Sequence, residues 1–345
     1  MRALVIIPAL KPDNRLCQLI QNIKESQNFN LDVLVVNDGS PKSYQPIFTS
    51  LKKEWQIPIL THPSNLGKGQ AIKTALTWLL QEHETYEVAI TADADGQHRL
   101  EDIEKCLVAW QNNSDTIIFG SRNFSQDIPL RSKFGNITTS LLLRGVTGTS
   151  IQDTQTGLRA IPAQYFKAFS AITGDRFNYE MNTILYCVNQ QIPIVEVPIA
   201  TIYLNDNASS HFRLLHDSFS IYGSFLKLAG LKILRYGLDF SLFLLLLQTL
   251  STNPLVLAFI FLLSRSLADL ATLPLRKKAL AALSPSQPLL RRSLLTRALL
   301  NMILTLLFTL LQSQLPYGPL AIKIGVESLC FLLSIILPRK YRFYT

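Results

Sequence analysis

The chain has few charged residues and few cysteines. Charged residues make up 17 % of its 345 residues, whereas a soluble domain usually carries about 25 %. The four cysteines lie far apart, with no Cys-x-x-Cys pair and no histidine at metal-ligand spacing, which argues against a disulfide scaffold or a zinc site. The spacing of a P-loop is also absent. The composition therefore excludes a disordered chain and argues against an ordinary water-soluble protein.

Positive charge is concentrated in the last third of the chain. Residues 227–345 contain 14 Lys and Arg but three Asp and Glu, whereas residues 1–226 contain 19 and 21. A basic chain with a net charge of +9 often binds nucleic acid. Here the excess coincides with the most apolar residues, so it indicates a membrane instead, and we predict no nucleic-acid partner.

Four apolar stretches in this last third predict membrane spans, at 233–251, 254–274, 294–313 and 318–338. Each is close to the ~20 residues that cross a bilayer, although a buried helical core is the alternative. Basic segments precede the first, separate the second from the third and follow the fourth, while the other two loops are uncharged. Because positive loops face the cytoplasm, we expect both ends of the chain there. The apolar start, MRALVIIPAL, is broken by Pro8 and predicts a strand rather than a signal peptide.

Residues 1 to about 204 alternate between apolar runs and helical patterns. This alternation predicts a mostly parallel sheet with helices on both faces. Ligands bind at the carboxyl ends of the strands in such sheets. Polar residues follow three of the predicted strands there: Asp38, Asp93 with Asp95, and Arg122.

The segment TADADGQH at 91–98 predicts a metal site. Two carboxylates at the end of a strand, Asp93 and Asp95, can hold one hard divalent cation together with a nucleotide diphosphate. Oxygen ligands from these carboxylates and the Gln97 amide suit Mg²⁺ or Mn²⁺. The alternative is an Asp-rich turn, since Asp-Gly is a common turn pair.

Three further segments carry polar residues with a chemical use. In VVNDGS, Asp38 can accept from a base N–H or a ribose hydroxyl; in NLGKGQA, Lys68 can meet a phosphate; in GSRNF, Arg122 can hold a phosphate with two hydrogen bonds. A turn, a helix start and a solvated basic loop are the respective alternatives. More basic residues follow in a stretch with little regular pattern: Arg131, Lys133 and Arg144. Three histidines are interpreted as structural or surface residues: His62, His83 and His98.

The order of these motifs resembles the family 2 glycosyltransferases of the GT-A fold, in particular the polyprenyl-phosphate glycosyltransferases related to dolichyl-phosphate mannose synthase. The match over about residues 1–220 rests on these segments in order: VIIPAL, VVNDGS, NLGKGQA, ADADGQH, GSRNF, DTQTGLRA, FNYEMN and EVPIATIYLNDNASSHFR. The tail resembles the GtrA-like membrane family, with four spans and a basic, aromatic end, RKYRFY.

The resemblance implies roles for the matching residues. The nucleotide would be lined by Pro8, Asp38, Lys68 and Asp93. The metal and diphosphate would be held by Asp93, Asp95 and Gln97. Arg122 and Arg131 would receive the acceptor phosphate, and Asp153 and Glu180 would border the sugar and the acceptor end of the site. Two positions depart from the family pattern: Lys11-Pro12 replaces the Asn-Glu that follows the first strand in the family, and Asn37-Asp38 replaces its Asp-Asp. These departures leave open which nucleotide base is bound.

The sequence thus predicts an α/β GT-A domain at 1–225 and an all-α transmembrane domain of four helices at 226–345. The expected activity is transfer, with inversion, of a hexose from a UDP- or GDP-sugar to a polyprenyl phosphate such as undecaprenyl phosphate, for the cell envelope. Mg²⁺ or Mn²⁺ is the expected cofactor, and the expected location is the cell membrane, multi-pass, with the catalytic domain cytoplasmic. The alternatives are a family 2 transferase acting on another lipid-linked glycan or cell-wall polymer, and a lipid-sugar flippase whose first domain only binds. A homo-oligomer is left open.

Overall fold

The computed structural model describes residues 2–81, 86–123, 130–201, 214–250, 253–283 and 290–336. Its contacts divide the chain into two compact units. The first comprises Met1–Leu141 and Ile151–Ser224, and the second comprises Leu142–Ser150 and Phe225–Thr345.

The first unit is built on a seven-stranded sheet in the order β3-β2-β1-β4-β6-β5-β7. The strands are β1 Ala3–Ala9, β2 Leu31–Asn37, β3 Ile59–Thr61, β4 Val88–Thr91, β5 Ile117–Arg122, β6 Arg159–Pro162 and β7 Ile194–Ile199. Strands β1 to β4 run parallel, β5 and β7 are parallel to each other, and β6 is antiparallel to both of its neighbours. The expected mostly parallel sheet is confirmed, with one antiparallel strand in it.

Helices pack against this sheet because its central strands are apolar on both faces. Those that pack on its strands are α1 Asn14–Glu25, α2 Gln45–Glu54, α3 Lys68–Gln81 and α4 Leu100–Asn112. The later helices of the same part of the chain are α5 Leu130–Thr147, whose residues from Leu142 belong to the second unit, α6 Phe166–Ser170 and α7 Asn178–Gln190. Helix α1 begins where the Asp13 carboxylate accepts a hydrogen bond from the Arg15 N–H at 2.9 Å. Its face of Leu16 and Ile20 packs in one core with Val5 and Ile7 of β1. The sheet edge that carries the polar residues is therefore held rigidly.

Helix α5 corrects the expectation of little regular pattern around Arg131 to Arg144. The segment is one continuous helix, Leu130–Thr147. Gly135, Thr138 and Thr139 have low intrinsic helix propensity, which hides the helix in the sequence. Its inner face is mixed: Asn136, Thr139 and Leu143 are buried. Tertiary hydrogen bonds as well as apolar burial therefore hold it in place.

The described part of the second unit contains four long helices that overlap the four apolar stretches. They are α8 Leu214–Thr249, α9 Pro254–Leu283, α10 Leu290–Gln314 and α11 Pro319–Ile336. Within the described residues, one segment, Pro254–Leu275, is long and apolar enough to cross a membrane by length and composition, and Ala298–Gln314 is a shorter apolar stretch. The other three predicted spans stay predictions.

The described part of the second unit has ion pairs in its interior and apolar side chains on its outside. Lys323 of α11 pairs with Asp239 of α8 at 2.9 Å, and Arg235 pairs with Asp269 of α9 at 2.7 Å. Arg265 pairs with Glu327. An apolar cluster that contains Phe243 and Phe308 is buried as well. Other large apolar side chains on these helices are exposed, including Leu255, Leu306 and Ile233.

Candidate active site

Four predicted site residues from distant parts of the sequence lie at one edge of the sheet. Asp93 and Asp95 follow β4, Lys68 begins α3, and Glu180 lies in the first turn of α7. The Lys68 ammonium is 2.5 Å from Oδ1 of Asp93 and 2.7 Å from Oε1 of Glu180. Lys68 therefore links the predicted nucleotide side of the site to the predicted sugar side.

The electrostatics of this cluster favour its charged forms. Burial opposes the charge on Lys68, but the carboxylates of Asp93 and Glu180 outweigh it and hold the pKa of Lys68 above its usual range. Burial likewise opposes ionisation of Asp93, but Lys68 and His98 hold the pKa of that carboxyl well below its usual range. Asp93 is thus an anion at neutral pH.

Asp95 has the opposite balance. Burial, followed by the negative charge of Asp93, raises the pKa of Asp95. Its Oδ1 accepts a hydrogen bond from the Gln97 N–H at 3.1 Å, across a tight turn in which Gly96 has a φ of +80°. Two neighbouring carboxylates that repel each other form a site that a divalent cation relieves.

The donor set fits a hard cation. Among the described residues, no group of three or more His, Cys, Asp or Glu is placed to hold a metal ion. Mg²⁺, however, is usually bound through one or two carboxylates together with substrate phosphates and water. The pair of Asp93 and Asp95 supplies such carboxylates, and the Gln97 amide stays a predicted ligand.

Asp38 organises the loop before α3. Its carboxylate accepts hydrogen bonds at 2.9 Å from the N–H groups of both Leu66 and Gly67. His62 lies between Asp38 and Thr74, with ring nitrogens 2.8 Å and 3.0 Å from their oxygens. This buried group fixes the backbone that presents Lys68. A contact of Asp38 with a nucleotide stays a prediction.

Two glycines let the start of α3 pass close to the loop before α7. A Cβ at Gly67 would lie 2.3 Å from the carbonyl oxygen of Asp175, and one at Gly69 would lie 2.4 Å from Cβ of Tyr179. The φ of Gly67 is +104°, which L side chains rarely adopt. The close approach places Lys68 within reach of Glu180.

We expect Gly67→Ala to lower the stability of the protein by about 1–3 kcal/mol and to lower its activity, because the alanine is strained and meets backbone. Gly135→Ala is the matched control, since its Cβ would meet side-chain atoms at 3.5 Å or more inside a helix. Thermal unfolding midpoints of the two variants measure the difference. An unfolding midpoint of Gly67→Ala equal to that of Gly135→Ala would contradict this geometry.

A second charged pair lies at the end of β5. The Arg122 guanidinium donates to both carboxylate oxygens of Asp153, at 2.7 and 3.0 Å. Asp153 is fully buried and also accepts from the Gln155 N–H at 3.1 Å. The Glu196 carboxylate of β7 accepts from the Asp153 N–H at 3.1 Å. The structure thus pairs two predicted acceptor-side residues with each other.

Two remaining predicted residues are placed by the backbone. Pro8 is the second-last residue of β1 and lies opposite Val36 of β2. Arg131 is the second residue of α5, but its side chain lies outside the described residues.

Two residues near the site had no predicted role. Nε2 of His98 is 3.4 Å from Oδ2 of Asp93. The sequence signal for this contact is the position of His98 directly after the carboxylate motif. Arg159 of β6 is buried over the Phe119 ring and donates to the Glu180 carbonyl at 2.8 Å. It belongs to DTQTGLRA, which the sequence marked only as a motif.

Comparison with known proteins finds sugar transferases similar to the first part of the chain. Residues 4–170 match the family model described as Glycosyl transferase family 2. The chain is 29 % identical over 219 residues to a UDP-N-acetylglucosamine–dolichyl-phosphate N-acetylglucosaminyltransferase of Methanococcus voltae, covering 58 % of this chain and 85 % of that protein. It is 26 % identical over 209 residues to an undecaprenyl-phosphate mannosyltransferase of Micrococcus luteus, covering 59 % and 84 %.

A solved structure shares the fold. Glucosyl-3-phosphoglycerate synthase from Mycobacterium tuberculosis, in complex with Mn²⁺, UDP-glucose and phosphoglyceric acid, superposes with a TM-score of 0.52. The identity is 14 %, over 66 % of this chain and 80 % of that chain. The sheet unit therefore has the GT-A fold. Residues 4–170 resemble the glycosyl transferase family 2 model, and the relatives described above are named as glycosyltransferases, so the protein is a glycosyltransferase.

Proposed function

We propose that this enzyme transfers a hexose from a nucleotide sugar to a polyprenyl phosphate, with undecaprenyl phosphate as the expected acceptor. The observation that carries the proposal is the Lys68 bridge between Asp93 and Glu180, which joins the expected donor and sugar sides of one site. Relatives named for transfer to dolichyl or undecaprenyl phosphate support the acceptor class.

The donor side is assigned to the carboxyl ends of β1, β2 and β4. Asp93 and Asp95, with Gln97, would hold Mg²⁺ or Mn²⁺ and the diphosphate. The bound cation offsets the charge that develops on the leaving diphosphate. Pro8 and Asp38 would line the base and ribose. The relative from Methanococcus voltae that is named for a UDP-sugar supports a UDP-sugar as donor, and a GDP-sugar is the alternative.

The acceptor side is assigned to the end of β5. A lipid phosphate is already an anion at neutral pH, so its attack needs no strong general base. It needs cations, and Arg122 and Arg131 would supply them, with Asp153 and Glu180 bordering the sugar. Attack from the face opposite the leaving diphosphate inverts the anomeric centre.

The second unit would anchor the enzyme in a membrane as a GtrA-like domain. Apolar side chains on its outside, such as Leu255 and Leu306, suit lipid, and ion pairs such as Lys323 with Asp239 are kept inside. We propose that all four long helices span the bilayer, with the catalytic domain and the C-terminus in the cytoplasm.

This topology predicts opposite labelling of two loops. A cysteine at Tyr317, between α10 and α11, should react with a membrane-impermeant reagent added outside the cell. A cysteine at Ser286, in the basic segment between α9 and α10, should react only after the membrane is opened. Labelling of Ser286→Cys alone from outside would invert the proposed orientation.

Sugar transfer is tested with membranes from expressing cells. They receive a panel of labelled nucleotide sugars with undecaprenyl phosphate, and lipid-soluble label is counted. We expect one nucleotide sugar to label the lipid, and Asp95→Ala membranes to give none. Label that appears only in a lipid-linked glycan or polymer would support the alternative acceptor instead.

A further inference from the structure

Helix α5 exposes three large apolar side chains on the face opposite its buried polar residues. Phe134, Ile137 and Leu141 are 72 %, 45 % and 61 % exposed. Their spacing of three and four residues places them on one face of the helix. Asn136 and Thr139, on the other face, are each 2 % exposed. We call Phe134, Ile137 and Leu141 the outer stripe of α5.

Polar side chains on the inward face of α5 form hydrogen bonds with the segment 151–154. Asn136 donates to the Gln152 carbonyl and accepts from the Thr154 N–H at 2.9 Å. The hydroxyls of Thr139 and Thr154 are 2.7 Å apart, and Ser140 donates to the Ile151 carbonyl at 2.6 Å. Asp153, the partner of Arg122, lies in the middle of this segment. Helix α5 is therefore tied to the acceptor side of the site.

The outer stripe is accompanied by positive charge alone. The sequence of α5 contains three basic residues and no Asp or Glu. On a helical projection, Lys133 and Arg144 fall along one flank of the outer stripe. An apolar stripe flanked by lysine and arginine is the pattern of a helix that lies in the interface of a bilayer, where the long basic side chains reach the headgroups.

We propose that the outer stripe of α5 docks into the surface of an anionic bilayer and so holds the Arg122–Asp153 pair at the level of the lipid headgroups. The chemistry of the partner follows from the outer stripe and its basic neighbours. Phe134, Ile137 and Leu141 would insert among the lipid acyl chains, and anionic headgroups would attract Lys133 and Arg144. The docking rests on the helix alone. Its use, the delivery of a lipid phosphate to Arg122, rests on the proposed function.

Docking is tested by measuring membrane depth at single sites of the full chain in bilayer discs with anionic lipid. In a Cys17→Ser background, a fluorophore is attached at Ile137→Cys or, as control, at Val108→Cys of α4, which is similarly exposed at 47 %. Lipids with a nitroxide below the headgroup should quench the label at 137, and a water-soluble quencher should reach the label at 108. Equal exposure of both labels to the water-soluble quencher would overturn the proposal. Quenching at 137 by a labelled second copy, and not by lipid, would overturn it in favour of a dimer interface.

A kinetic experiment separates docking from chemistry. The triple variant Phe134→Ser, Ile137→Ser, Leu141→Ser should raise the KM for long-chain polyprenyl phosphate in a bilayer about tenfold or more, because it removes apolar surface from the interface. The KM for a short-chain, water-soluble polyprenyl phosphate should stay unchanged, and Val108→Ser should change neither. Equal losses with both acceptors would overturn the role of docking. If the unmodified enzyme transfers sugar to neither acceptor, the proposed function fails while the label at 137 still decides the docking.

Discussion

Replacing Asp95 with alanine is expected to lower the rate of sugar transfer by about a hundredfold or more while the fold is retained. Burial and the charge of Asp93 raise the pKa of Asp95, so this turn holds two carboxylates that repel each other unless a cation lies between them. Alanine leaves one carboxylate to hold the cation that would bind the diphosphate. Each ~1.4 kcal/mol of lost transition-state stabilisation lowers the rate about tenfold, so a loss of a few kcal/mol gives the expected decrease. Steady-state kcat/KM for the nucleotide sugar measures the effect.

The same account predicts that a chelator abolishes transfer and that Mg²⁺ or Mn²⁺ restores it. Glu101→Ala is the matched control, because this exposed carboxylate lies in the first turn of α4. It should keep normal activity and the same metal requirement. Full activity in excess chelator, or normal transfer by Asp95→Ala, would contradict a role for the cation in transfer.

Replacing Arg122 with leucine is expected to lower the free energy of unfolding of the catalytic unit by about 3–5 kcal/mol, because it leaves a buried carboxylate without its partner. Asp153 is fully buried, and both of its oxygens accept from the guanidinium. Resistance to proteolysis across a urea series measures the loss.

A double variant distinguishes an uncompensated charge from lost packing. Arg122→Leu combined with Asp153→Leu removes both charges and should recover a large part of the stability lost by Arg122→Leu alone. Recovery stays incomplete, because Asp153 also accepts from the Gln155 N–H. If the stability lost by the double variant equals the sum of the losses of Arg122→Leu and Asp153→Leu, the two residues are not energetically coupled. The variants should also bind acceptor poorly, since Arg122 is proposed to meet the lipid phosphate.

Much of the sheet and the carboxylate turn could be predicted because their signals are local. Strands β1, β2 and β4 consist mostly of apolar residues, and polar residues follow each of them. A strand that is buried on both faces must be apolar throughout, so its end shows in the sequence. The position of Asp93 and Asp95 at the edge of the sheet follows from that end.

The contacts of the site could not be predicted, because they join residues far apart in the chain. The motifs predict separate roles for Lys68 and Glu180, and the close packing of the start of α7 and the loop before it against Gly67 and Gly69 brings the two side chains together. The partners of Arg122 and Asp153 were likewise unknown, because a guanidinium suits a phosphate and a carboxylate equally well.

Helix α5 was missed for a different physical reason. Sequence patterns identify a helix by an apolar face that is buried, but the buried face of α5 has one buried leucine, Leu143, beside polar residues that hydrogen-bond to Gln152 and Thr154. Three of its large apolar residues face outward instead: Phe134, Ile137 and Leu141. The rule that apolar residues lie inside holds for water, and a surface that meets lipid reverses it.

The central claim is tested most directly by the structure of the product. The purified full-length enzyme is incubated in bilayer discs with undecaprenyl phosphate and the nucleotide sugar that labels membranes, and the lipid is analysed by mass spectrometry and NMR. The account predicts a lipid that carries one hexose on a single phosphate, with an anomeric configuration opposite to that of the donor. A sugar on a diphosphate, a retained configuration, or a product found only on a water-soluble acceptor would contradict it.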